Sequence, residues 1–215
     1  MNETSLFDQL EFTENPVYEG IISDLQERQY SVCDGFFDLE EVSELRESLH
    51  RKHVLSQFKK AAIGSKTNEI VERTVRGDFI FWLNEAEADP SENRFFRKIN
   101  ELTNYLNRTC FMGILHKEFH YAIYPAKTFY KRHLDTFQND DRRKLSFVCY
   151  LNEDWNAKNG GELVLYPQKD GTENVVEILP LAGRVVIFES QVLEHEVKPV
   201  LACERLSITG WFKTR

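Results

Sequence analysis

The sequence predicts an α+β domain, with helices in the N-terminal part, about residues 1–110, packed on one sheet of a jelly-roll core, about residues 111–215. Three observations carry this. Leu39, Val42, Leu45 and Leu49, and then Phe95, Phe96, Ile99, Leu102 and Leu106, recur at helical spacing. From Phe119 onward apolar residues fall in short alternating runs. Turn signals separate those runs, at Asn159-Gly160-Gly161, Asp170-Gly171 and Ala182-Gly183.

Taken in order, residues 17–27 predict a short helix and Gln29–Cys33 a strand that ends at Asp34-Gly35. Asp38 can cap the next helix, with Glu40 and Glu41 in its first turn. Residues 55–75 are polar and contain Gly64, Ser65 and Thr67, so a mobile loop is expected there. A strand at 78–83 follows, and Asp89-Pro90-Ser91 opens a further helix. Eight strands are expected after that, at 119–124, 127–132, 145–151, 162–167, 174–179, 183–189, 193–197 and 205–213. That many strands in one run suits a double-sheet jelly roll or barrel. No internal repeat or linker divides the chain, so residues 1–215 read as a single domain.

Bulk properties narrow the function. Of 215 residues, 41% are hydrophobic and 29% charged, ordinary for a globular protein, and the net charge is −8. An acidic balance disfavours general nucleic-acid binding, which needs clustered Lys and Arg. No apolar stretch has membrane-spanning length, and Met1-Asn2-Glu3-Thr4 lacks the basic start of a secretory signal. Cys33, Cys110, Cys149 and Cys203 form no C-x-x-C pair, so free thiols in a reducing cytoplasm are expected.

The chemistry-bearing pattern is His133-Leu134-Asp135 with His195 in a later strand. Residues i and i+2 of a strand share a face, so one imidazole and one carboxylate project together. Two His and one carboxylate leave three metal positions open, the arrangement of non-haem Fe(II) oxygenases. The triplet alone is common. Arg205 adds to it, because an Arg on a core-facing strand beside Leu206 and Ile208 needs a partner, and its fork suits a bound carboxylate. His116 and His120 are four apart, but Lys117 and the alternating Phe119–Tyr124 run argue for a strand and against a helical zinc site. His50 and His53 read as solvated. Asp140 and Asp141 read as loop charges, and Arg142-Arg143-Lys144 as a basic turn.

At this point the chain resembles the prolyl 4-hydroxylase superfamily of Fe(II)- and 2-oxoglutarate-dependent oxygenases, closest to the HIF prolyl hydroxylase-like branch and its bacterial relatives. The likeness covers roughly residues 28–213. It rests on Phe58–Gly64, Arg76-Gly77-Asp78 with Trp82, Tyr124-Pro125, His133-Leu134-Asp135, Tyr150-Leu151-Asn152 with Asp154-Trp155, Gly160-Gly161, His195-Glu196-Val197, and Arg205 with Thr209-Gly210-Trp211, in family order.

The resemblance implies a double-stranded β-helix, the jelly roll of that superfamily. It implies His133, Asp135 and His195 as iron ligands. Arg205 and Tyr150 would grip the distal carboxylate of 2-oxoglutarate, with Tyr124, Thr209 and Trp211 lining its pocket. Arg76, Asp78 and Arg143 would stand at the peptide-binding mouth, and the 55–75 segment would close over the substrate. The implied reaction is dioxygenase hydroxylation of a prolyl residue in a protein, with O2 consumed, succinate and CO2 released, and ascorbate as a stimulant. Bacterial relatives point to a translation component, such as elongation factor Tu or a ribosomal protein. Hydroxylation of a free amino acid or small metabolite, or an inactive jelly-roll binding module, are the alternatives. Asp135 argues against a halogenase, where the family replaces that carboxylate. Two features depart from the family pattern: the His195–Arg205 spacing is one residue longer, with Glu204 as the extra residue, and the stretch from Tyr124 to His133 is short.

Overall fold

The computed structural model describes residues 13–61, 76–136 and 142–214. Three α-helices precede the strand-rich half of these residues, and each begins where local chemistry dictates. The first, α1 (Pro16–Arg28), has Asn15 as N-cap and stops at Gln29, which takes a left-handed conformation. The next two, α2 (Leu39–Val54) and α3 (Pro90–Cys110), open with reciprocal capping boxes, Asp38 with Glu41 and Asp89 with Glu92. Each box satisfies backbone N–H groups that the first helical turn leaves free.

The strands are β1 (Tyr30–Cys33), β2 (Lys59–Lys60), β3 (Phe79–Trp82), β4 (His116–Tyr124), β5 (Tyr130–His133), β6 (Arg143–Tyr150), β7 (Leu163–Leu165), β8 (Gln168–Lys169), β9 (Thr172–Glu173), β10 (Val176–Ile178), β11 (Val185–Glu189), β12 (His195–Val197) and β13 (Arg205–Lys213). They form a seven-stranded sheet in the order β1-β11-β6-β13-β4-β3-β2, a four-stranded sheet β10-β7-β12-β5, and the small hairpin β8-β9. All pairings are antiparallel. The two larger sheets stack as a jelly roll: Val148, Val186 and Phe188 of one pack with Leu163, Leu165 and Ile178 of the other.

Strand alternation sorts the large sheet into two faces. Phe119, Tyr121 and Ile123 of β4, Leu145, Phe147 and Cys149 of β6, and Leu206, Ile208 and Phe212 of β13 join one core with Val42, Leu45 and Leu49 of α2 and Phe95, Ile99 and Leu102 of α3. The intervening residues, His120 and Tyr124, Ser146 and Val148, Arg205, Thr209 and Trp211, face the second sheet. The helices therefore back the sheet on one side and leave its other side for the site.

Several expectations need correction. Leu39 is 72% exposed, because at 100° per residue it lies about 90° round the helix from the stripe of Val42, Leu45 and Leu49. Residues 55–61 of the expected loop hold a turn and β2, which pairs with β3; the remainder of that loop, and Asp140 and Asp141, lie outside the described residues. The hairpin β8-β9 flanks Asp170-Gly171 and was not foreseen, since two-residue polar strands carry no apolar alternation. All four cysteines are free, and burial pushes the Cys149 thiol well up. No described helix is long and apolar enough to cross a membrane.

Phe147 is fully buried and meets Phe95, Phe119 and Phe212 edge-on, with centroids 6.1, 5.6 and 6.1 Å away. Phe147→Ala is expected to lower stability by about 3–5 kcal/mol, measured by urea unfolding, because the cavity it leaves lies between sheet and helices.

Candidate active site

His133 ends β5 and His195 begins β12, and the two are direct partners in the antiparallel register. Their rings stand 4.2 Å apart between centroids. Asp135 joins them from a bend two residues past His133, outside the strand. The shared-face argument for His133 and Asp135 therefore needs correction: β5 ends at His133, and the chain turn after it brings the short carboxylate back to the imidazoles. One ligand atom from each of the three residues lies within 4.8 Å of the others. Asp135 Oδ1 is 3.6 Å from His133 Nε2, and Oδ2 is 3.6 Å from His195 Nε2.

The hydrogen bonds around these groups set their donor atoms. His133 Nδ1 lies 2.6 Å from the Lys131 carbonyl, and His195 Nδ1 lies 3.3 Å from the Leu193 carbonyl. A carbonyl only accepts, so each Nδ1 carries a proton and each Nε2 is turned toward Asp135. His133 Nε2 is buried without a hydrogen-bond partner. Burial pushes the His195 imidazole down to about 4, so it is neutral, and thus able to ligate, at physiological pH. Burial opposes ionisation of Asp135, but the imidazoles and a hydrogen bond from Ser146 Oγ, 2.6 Å from Oδ2, outweigh it and hold the carboxyl below its usual range. Ser146 is itself 2.8 Å from Ser190 Oγ, and both serines are fully buried. Two imidazoles and a carboxylate, oriented by a second layer of hydrogen bonds, fit Fe(II) with open positions.

Arg205 begins β13 opposite Tyr124 of β4. It is 2% exposed, and no carboxylate among the described residues pairs with it. Its Nε donates to the Gly161 carbonyl at 2.9 Å, and its guanidinium lies 5.0 Å from the Tyr124 ring centre and 4.9 Å from that of Tyr150. The Asn159-Gly160-Gly161 turn makes this possible. A Cβ on Gly160 would come within 2.3 Å of the Pro199 carbonyl, and one on Gly161 within 3.0 Å of Arg205 Cδ. The chain bends at 202–203 just before Arg205, where Cys203 has φ 64.

Arg205, Tyr124, Thr209, Trp211, Arg76 and Arg143 line one cavity of about 390 Å³ together with His133, Asp135 and His195. Tyr150 is fully buried beside Arg205 and is not among the lining residues; its hydroxyl has no hydrogen-bond partner. Asp78 is also behind the wall, where it forms a two-pronged pair with Arg76, at 2.8 and 2.6 Å. Arg76 in turn lies over the Tyr130 ring, 4.3 Å from its centre, and Tyr130 stacks on His133 at 3.6 Å. Arg143 covers the Trp211 indole at 3.5 Å and donates to the Asp135 carbonyl at 2.8 Å.

Sequence reasoning missed Ser146, Ser190, Tyr130 and His120. His120 lines the cavity between Trp82 and Trp211, is 3% exposed, and has no partner at Nδ1. Burial, with Arg76 nearby, pushes it down to about 3, so it is a neutral polar group in an aromatic wall. Alternation in β4 was legible and could have placed His120 on the Tyr124 face. Nothing in the sequence pairs Ser146 with Asp135.

Two outcomes test the metal cluster. His133→Ala is expected to abolish tight Fe(II) or Co(II) binding, followed by titration calorimetry. Ser146→Ala is expected to weaken it by about 10- to 100-fold, the usual effect of losing an outer hydrogen bond to a ligand, while Ser146→Thr retains it.

The chain is similar to several known proteins. The family model described as 2OG-Fe(II) oxygenase superfamily matches residues 119–213. Human Egl nine homolog 1 is 27% identical over 208 residues, covering 90% of this chain and 46% of that protein. The chain spans about half the length of that relative and of its rat and mouse counterparts, 58% and 49%. Among solved structures, a Pseudomonas putida prolyl-4-hydroxylase is 34% identical with a TM-score of 0.81, covering 93% of this chain and 100% of that one. A Trichoplax adhaerens prolyl hydroxylase, solved with a hypoxia-inducible factor oxygen-degradation-domain peptide, is 27% identical with a TM-score of 0.82, covering 92% and 89%. The chain is similar to prolyl hydroxylases, and it belongs to the 2OG-Fe(II) oxygenase superfamily, whose cofactors are Fe(II) and 2-oxoglutarate.

Proposed function

We propose that this protein is a 2-oxoglutarate-dependent dioxygenase that hydroxylates a prolyl residue in a protein substrate. The observation that carries the proposal is a single cavity bounded both by the His133–Asp135–His195 cluster and by a buried Arg205 with no carboxylate partner among the described residues. When bound, Fe(II) and 2-oxoglutarate supply the oxidation: one oxygen atom of O2 enters a C–H bond as hydroxyl, the other enters succinate, and CO2 leaves.

The chain's own residues have three tasks in this reading. His133, Asp135 and His195 would hold the metal, a three-ligand set that would leave it positions for the cosubstrate and O2. Arg205, backed by Tyr150 and Tyr124, receives the distal carboxylate; burial raises both phenols, so they stay protonated and can donate. Thr209 and Trp211 shape the wall between. Arg76, held by Asp78, and Arg143, laid on Trp211, form the mouth where a peptide would enter. A cavity that opens beside exposed Lys59 and Lys60 and half-exposed Trp82 suits a chain segment.

Residues 1–215 are read as one oxygenase domain acting in the cytoplasm, in keeping with four free cysteines. A translation component remains the candidate substrate, from the likeness to bacterial members; general nucleic-acid binding does not suit the acidic chain.

Succinate formation is the test. Protein loaded anaerobically with Fe(II) and then given O2 and 2-oxoglutarate is expected to form succinate, and His133→Ala to form none. Losing a hydrogen bond to a charged group costs about 1.5–3 kcal/mol, so Arg205→Ala is expected to need roughly ten- to a hundredfold more 2-oxoglutarate. Absence of turnover together with absence of Fe(II) and 2-oxoglutarate binding would overturn the proposal.

A further inference from the structure

The two histidines of the metal cluster are carried by short strands, one of them at a sheet edge. β5 is the edge strand of the four-stranded sheet. Apart from an isolated bridge between its first residue, Tyr130, and Arg76, its described partner is β12, with an irregularity between the two paired positions. Two registered pairs are a weak hold on a residue that must keep an imidazole in place to a fraction of an ångström.

A second layer compensates on the opposite face. Side chains alternate across a strand, so three immediate neighbours of the two histidines point away from the cavity, whereas Leu134, past the end of β5, lines it. The three are Arg132 beside His133, and Glu194 and Glu196 on either side of His195. They form one network. Arg132 Nη1 and Nη2 donate to the two carboxylate oxygens of Glu173 at 3.0 and 2.6 Å, and its Nε donates to Glu194 at 3.0 Å. The guanidinium lies 3.8 Å from the Tyr166 ring centre, and the Tyr166 hydroxyl donates to Glu196 at 2.8 Å. Glu173 belongs to β9, so one guanidinium ties the edge strand, the segment entering β12 and the β8-β9 hairpin together. The side chains of Arg132, Glu173 and Glu194 are 35%, 38% and 45% exposed, open enough for salt to reach them. A two-pronged fork stacked on an aromatic ring is the geometry in which a surface ion pair has a measurable effect.

We propose that Arg132 is a positioning residue for the metal site: its outer-face clamp holds His133 opposite His195, so metal affinity depends on an ion-pair network that salt weakens. This rests on reading His133, Asp135 and His195 as metal ligands. Arg132 itself touches neither the ligands' donor atoms nor the cavity.

The test uses the full chain, metal-free, titrated with Co(II) alone and followed by the visible absorption of the bound ion. At low salt Arg132→Ala is expected to bind Co(II) about three- to tenfold more weakly than wild type. In about 1 M salt, where charge interactions decay over about 3 Å, the gap is expected to close, because wild type loses the clamp too. Arg132→Lys should recover part of the affinity, since it keeps the charge but not the fork. Glu173→Gln, which frees the hairpin without altering either ligand strand, should fall between wild type and Arg132→Ala. Equal affinity of Arg132→Ala and wild type at low salt, or a gap that salt does not change, would overturn the clamp. Failure of wild type to bind Co(II) would instead overturn the metal site on which the clamp rests.

Discussion

Two buried charges on the walls of one cavity shape the rest of this structure. Asp135 is 9% exposed and faces two imidazoles; Arg205 is 2% exposed and has no carboxylate of the described chain beside it. Taking a single ion out of water costs several kcal/mol even after relaxation. Each charge is therefore met by hydrogen bonds, from Ser146 to the carboxylate and from Arg205 to the Gly161 carbonyl. What these bonds leave over is a demand for a cation at one end of the cavity and an anion at the other. A divalent metal and a dicarboxylic keto acid answer both.

The fold meets that demand through strand alternation. On β13, β4 and β6 every second residue is given to an aromatic and aliphatic core under the helices, and the residues between are given to the site. Phe119, Phe147 and Phe212 thus anchor the same strands that present His120, Ser146 and Trp211. A rise of about 3.3 Å per residue separates Arg205 from Trp211 by roughly 20 Å along β13. This length lets one strand line the cavity from Arg205 to Trp211. The small sheet, by contrast, carries His133 and His195 on short strands and has polar contacts at its outer face.

Much of this was legible in the sequence, for physical reasons. Helix starts were visible because Asp38 and Asp89 are caps with their Glu partners three residues on. Most strands from 119 to 213 were visible because they carry enough apolar alternation to mark a face, which the polar β8 and β9 do not. His133, Asp135, His195 and Arg205 stood out because an ionisable group in such a run needs a partner. The remainder depends on contacts between residues far apart in sequence. Ser146 to Asp135, Ser190 to Ser146, and Arg132 to Glu173 and Glu194 exist only once the register of the sheets is known. Asp135 reached the site by a bend that alternation does not encode, and Tyr150 sits behind the wall that Arg205 lines.

The central claim is that the two ends of one cavity bind a single molecule, the keto acid at the metal and the distal carboxylate at Arg205. The most direct measurement is an anaerobic titration of the Fe(II)-loaded protein, following the visible charge-transfer absorption that appears when a keto acid chelates iron. The account predicts that 2-oxoglutarate and 2-oxobutyrate, which lacks the distal carboxylate, both give the absorption, with 2-oxoglutarate binding about tenfold or more tightly. Equal affinity for the two acids would contradict it.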